Sequence, residues 1–180
     1  VVEALARIFS AQGDAVSYQD NEGCCGALEF HLDEQSAGLN RARRMVDLLY
    51  PRVETGEIDF IVSSASGCGV MVKDFASLLA GDSGYASRAK VVAEHTRDAS
   101  ELIDPSRLTL GGQDQTIAVH ESCTLQHGQK LQGQLPALMR ELGFSLATVS
   151  EPHMCCGSAG TYSIFQPTFA AQLRTRKLTQ

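Results

Sequence analysis

The sequence predicts an α/β fold of two pseudo-repeated halves, each with a short parallel sheet flanked by helices. Three observations point to it. Helical apolar periodicity alternates with short β-branched runs along the chain, an order that favours parallel sheets. A proline- and glycine-rich connector, Asp104-Pro105 through Gly111-Gly112, divides the sequence. Two Cys-Cys-Gly motifs, at 24–26 and 155–157, share a lead-in of helix, glycine and short strand, with Gly13 and Gly143 lying 11 and 12 positions ahead of Cys24 and Cys155. A tandem duplication accounts for this register, with halves at 1–104 and 105–180.

The chain opens in an amphipathic helix to about Gln12, whose Val1, Leu5, Ile8 and Phe9 share a face. A strand is expected near Ala15 to Tyr18, then a helix from about Asp33 to Tyr50, a strand from Ile58 to Ser63 and a helix near Val70 to Leu79. A second helical stretch is expected from Tyr85 to Leu102. Beyond the connector come a strand at Thr116 to His120, a helix from about Leu135 to Leu142, a strand at Ser145 to Val149 and a terminal helix from about Thr168. Because it starts and stops inside helical patterns, at Val1 and Gln180, the sequence reads as a segment of a longer protein.

With 180 residues, 43% of them hydrophobic, the chain can bury a core without disulfides, so its six cysteines need another explanation. A net charge of −6, with 15 Lys and Arg scattered among 21 acids, argues against nucleic acid, which demands a clustered basic surface. Apolar runs such as Phe60-Ile61-Val62 fall far short of the ~20 residues that span a bilayer, and no signal-peptide pattern opens the chain. The expectation is a cytoplasmic protein without a membrane span.

The cysteines form two sets of three. Cys24 and Cys25 are followed at a distance by Cys68, while Cys123 precedes Cys155 and Cys156. Neighbouring cysteines are poorly suited to a mutual disulfide, because the bridge strains the peptide between them. A polynuclear iron-sulfur cluster suits them better, since adjacent thiolates can bind different irons. Gly23, Gly26, Gly67, Gly69 and Gly157 would let the backbone approach such a group and turn N–H donors toward its sulfurs. The rival reading is a zinc-binding structural or interaction module, with His120, Cys123, Cys155 and Cys156 as a possible ligand set. His127 and His153 lie near the motif cysteines as outer groups or solvated loop residues. Buried free cysteines are the plainest alternative.

In these motifs the sequence resembles the cysteine-rich CCG-domain family, which occurs in glycolate oxidase iron-sulfur subunits, lactate-utilisation proteins, heterodisulfide reductases and anaerobic glycerol-3-phosphate dehydrogenases. The strings Ser-Gly-Cys-Gly-Val-Met-Val-Lys-Asp-Phe (66–75), Cys-Thr-Leu-Gln-His-Gly-Gln-Lys-Leu (123–131) and Met-Cys-Cys-Gly-Ser-Ala-Gly-Thr-Tyr-Ser (154–163) are similar to the glycolate oxidase branch. The resemblance implies an electron-transfer role in an oxidoreductase, with iron-sulfur clusters of the 4Fe-4S kind on Cys24, Cys25, Cys68, Cys123, Cys155 and Cys156. It also implies flavoprotein partners that carry FAD, electron delivery toward a quinone-side acceptor, and peripheral association with the inner face of the cell membrane through the complex. No catalytic residue is expected in this segment. Further cluster ligands are expected before Val1 and after Gln180, with a two-cluster ferredoxin domain further upstream. Ala65 stands where some relatives carry the first cysteine of Cys-x-x-Cys, which favours ordinary electron transfer over heterodisulfide chemistry.

Overall fold

The computed structural model describes residues 1–18, 21–111 and 114–179. They divide into two compact units, Val1–Thr109 and Leu110–Gln180. Gly112, at the end of the expected connector, and Gln180 lie outside the described residues.

The first unit begins with α1 (Val2–Ala11), which buries Phe9. Gly13, at φ +91°, ends it: the Gly13 N–H bonds Ser10 O and the Asp14 N–H bonds Phe9 O, closing the last turn on a left-handed residue. The segment 14–18 is irregular, so the strand expected at Ala15 to Tyr18 does not form. With Val16 and Tyr18 exposed, its alternation buries no face. Next come α2 (Ala27–His31) and α3 (Gln35–Glu54). Ala42, Val46, Leu49 and Val53 recur at helical spacing on α3 and are all buried.

β1 (Ile61–Ser63) leads into α4 (Ser66–Lys73), α5 (Phe75–Leu78) and α6 (Ala86–His95). The chain then forms β2 (Thr96–Asp98), parallel to β1 with Ile61 opposite Thr96. The single helix expected from Tyr85 to Leu102 thus ends at His95. Pairing with β1 outweighs the local helical pattern, and Asp98 and Glu101 form a capping box that starts a separate 3-10 turn, Ala99–Glu101. The core unites Ala42, Met45, Val46 and Leu49 of α3 with Met71 and Val72 of α4, Phe75, Leu79, and Ala89 and Val92 of α6. Cys25 belongs to this core.

The second unit holds β3 (Thr116–Ile117), a π-helical turn (Thr124–Gly128), α7 (Gln134–Glu141) and β4 (Ser145–Leu146). It closes with α8 (Tyr162–Phe165) and α9 (Pro167–Leu178). β3 and β4 run parallel, pairing Thr116 with Ser145 and Ile117 with Leu146. Both strands start where expected but stop early. Gly143, at φ +89°, ends α7 as Gly13 ends α1, with the Gly143 N–H on Arg140 O and the Phe144 N–H on Met139 O. Mixed helix with two short parallel sheets is the predicted α/β class. No described helix is long and apolar enough to cross a membrane.

Candidate cysteine centres

In the first unit Cys24 and Cys25 form the approach to α2, and Gly26 is that helix's N-cap at φ +86°. This conformation turns the Gly26 N–H onto Cys24 Sγ, 3.5 Å away. It also presses the glycine against α3, where a Cβ on residue 26 would stand 2.5 Å from Gly38 O. Cys68 lies in the first turn of α4, not in a loop ahead of a helix starting near Val70. Cys24 and Cys68 are exposed and Cys25 is buried. The Cys25 thiol is pushed up to about 12, chiefly by burial, which outweighs the lowering effect of the Ala27 N–H. The neighbouring Cys68 and Cys24 thiols push it further the same way, so the three sulfurs share one electrostatic neighbourhood.

The second unit repeats the arrangement. Gly157, at φ +85°, donates its N–H to Cys155 Sγ at 3.3 Å. A Cβ on it would overlap the carbonyl of Ala170 in α9. Cys155 and Cys156 are half-buried, and Cys123 stands at the N-cap of the π-helical turn. Although residue 123 is exposed, its thiol is raised by partial burial, then by Cys155 through charge and a hydrogen bond, and then by Cys156.

The zinc alternative needs donors closely aimed at one ion. Among the described residues no group of three or more His, Cys, Asp or Glu is placed to hold a metal ion, and this covers the two cysteine sets as well as the His120 set. His120 is held below the usual histidine range by partial burial, then by the Lys177 ammonium. His127 and His153 are exposed on the flanking loops.

Sequence reasoning missed the groups that brace the second set. Glu121 is a buried acid whose carboxylate accepts the Gly133 N–H at 3.1 and 2.9 Å and the Leu135 N–H at 3.2 Å, where α7 begins. Lys177 Nζ donates to Glu151 O at 2.6 Å, just ahead of Cys155. The only signal in the sequence was an acid two residues ahead of Cys123; its partners, 12 and 14 residues further on, are supplied by the fold.

Two α/β units, each with a left-handed glycine donating to a cysteine sulfur beside a second cysteine, are the arrangement of a cysteine-rich domain protein. The cysteine-rich domain family, CCG, matches residues 1–73 and 117–180, and the chain belongs to it. It is 42% identical to the glycolate oxidase iron-sulfur subunit of Escherichia coli (strain K12), over 97% of this chain and 43% of that protein. It is 23% identical to the probable glycolate oxidase iron-sulfur subunit of Bacillus subtilis (strain 168), over 97% of this chain and 40% of that protein. Lactate utilization protein A of Bacillus velezensis is 23% identical over 99% of this chain and 74% of its own length. The chain therefore spans less than half the length of the two glycolate oxidase relatives. No solved structure matches it at comparable significance.

Proposed function

We propose that this chain is part of the iron-sulfur electron-transfer subunit of a glycolate oxidase or dehydrogenase complex. The observation that carries the reading is the repeated clamp: in both units a left-handed glycine turns its N–H onto a cysteine sulfur beside two further thiols. Three thiols per set, a neighbouring pair able to reach different irons, and backbone donors to sulfur fit an iron-sulfur cluster of the 4Fe-4S kind.

Cys24, Cys25 and Cys68 would hold one centre, and Cys123, Cys155 and Cys156 the other. A cluster bound on these thiolates would supply one-electron redox chemistry. The chain's own part is to supply thiolates, which means releasing the protons that burial keeps on Cys25 and Cys123. The Gly26 and Gly157 N–H groups donate to Cys24 and Cys155 sulfur, and on a bound cluster such donors would favour the more reduced, more negative state. FAD and the 2-hydroxy acid belong to flavoprotein partners in this reading, and electrons continue toward a quinone-side acceptor. In this reading the complex works in the cytoplasm or at the inner face of the cell membrane. The similarity to lactate utilization protein A supports a second reading, with the same centres in a lactate-utilisation complex.

The test is anaerobic EPR with iron and sulfide quantitation on the full-length subunit. Iron and sulfide in equal amounts are expected, and Cys123→Ser should remove about one cluster's iron. Colourless protein carrying stoichiometric zinc would overturn the reading, and unchanged iron in Cys123→Ser would overturn the grouping. Glycolate- against lactate-dependent dye reduction by the copurified complex separates the two substrate readings.

A further inference from the structure

The loop carrying Cys123 and the loop carrying Cys155 and Cys156 are joined through one buried side chain. Gln126, 5% exposed, lies in the π-helical turn that Cys123 opens. Its Nε2 donates to Glu121 O at 2.7 Å and to Pro152 O at 3.3 Å. These carbonyls stand two residues ahead of Cys123 and three ahead of Cys155. A primary amide nitrogen carries two N–H donors, one for each carbonyl, without bringing a charge into the interior.

Each end of this link is anchored separately. Glu121 is fixed to the start of α7 by its carboxylate. Pro152 also accepts from Lys177 Nζ at 3.4 Å, and Arg176 Nε pairs with the Glu151 carboxylate at 2.8 Å, both from α9. One loop is thus tied to α7, the other to α9, and the Gln126 amide spans the gap between them.

We propose that Gln126 is a positioning residue that sets the separation of Cys123 from the Cys155–Cys156 pair, and with it the geometry of the second centre. The inference rests on the reading of these three thiols as one site. Gln126 touches no sulfur in this role; it acts through the two carbonyls.

The experiment compares wild-type full-length subunit with Gln126→Met, which keeps length and removes both donors, and Gln126→Glu, which sets a carboxylate against two carbonyl oxygens. In metal-free protein, diamide oxidation followed by peptide mapping gives the rate of Cys123–Cys155 disulfide formation, with the rate of iodoacetamide labelling at the exposed Cys24 as internal control. Both variants should slow the first relative to the second by about fivefold or more, from the loss of two hydrogen bonds. In anaerobically loaded protein the EPR g values and midpoint potential of the second centre should shift while those of the first stay fixed. An unchanged rate ratio together with unchanged EPR would overturn the proposal, and if Gln126→Met fails to fold, the same result in Gln126→Glu would do so. Wild-type subunit without any iron-sulfur signal would overturn the proposed function, whereas the rate ratio would still decide the role of Gln126.

Discussion

Gly26 packs so closely on Gly38 that a Cβ on residue 26 would lie 2.5 Å from the Gly38 carbonyl oxygen. The second unit makes the same contact between Gly157 and Ala170. In each case the glycine is left-handed and its N–H is aimed at the first cysteine of the pair. The third residue of Cys-Cys-Gly therefore has two duties, docking the loop on a helix and donating to sulfur.

Gly26→Ala and Gly157→Ala should each destabilise the metal-free protein by about 2 kcal/mol or more, from left-handed strain added to a backbone collision. Gly67→Ala is the control. Residue 67 lies inside α4 with nothing within 4 Å of a built Cβ, so alanine there should be neutral or stabilising by about 0.5–1 kcal/mol. Urea denaturation followed by circular dichroism measures all three; equal stability of Gly26→Ala and Gly67→Ala would contradict the clamp.

The core makes a second demand. Phe75 is fully buried among residues of α3, α4 and α6. Phe75→Ala should cost about 3–5 kcal/mol by leaving a cavity that surrounding side chains fill only in part. A loss below 1 kcal/mol in the same denaturation assay would show that this site collapses freely.

Acid should weaken the first unit through Asp82. Its carboxyl is held below the usual carboxylate range first by the hydrogen bond from Arg43, with further lowering from the Gly84 N–H, against a raising effect of burial. Because the folded form binds its proton less readily than the unfolded form, the stability it contributes is present above about pH 4 and is lost as pH falls below it. Asp82→Asn should flatten that part of the pH–stability profile between pH 5 and 2. An unchanged slope in the variant would assign the acid sensitivity elsewhere.

The helices were readable because their apolar spacing is long and regular, as in Ala42, Val46, Leu49 and Val53 of α3. The glycine endings at Gly13 and Gly143 were readable as equivalent positions, and the fold gives both the same closing hydrogen bonds. The strands were harder. Only two or three residues pair in each, so a β-branched run such as Thr116 to His120 overstates what forms, and β2 is set by its partner β1 rather than by its own composition. Nor could spacing reveal Gln126 or Glu121. Their partners, Pro152 and Gly133, are distant in sequence and meet them only after folding.

Cys25 should be the slowest of the first three thiols to react. It is 4% exposed and pushed up to about 12, whereas Cys24 and Cys68 are exposed. Since the thiolate is the nucleophile, iodoacetamide at pH 8 should label Cys24 and Cys68 well before Cys25 in metal-free native protein, and all three alike in urea. The same shift fixes a stability trend. A folded-state value above the ordinary thiol value of 9.0 means that the folded form keeps its proton longer, so the contribution is complete below about pH 9 and is lost as pH rises toward about 12. Metal-free protein should therefore unfold at lower urea concentration at pH 10.5 than at pH 8, and Cys25→Ala should reduce that difference. Rapid labelling of Cys25 in the native state, or an alkaline slope that survives Cys25→Ala, would mean that this thiol is not locked in the core.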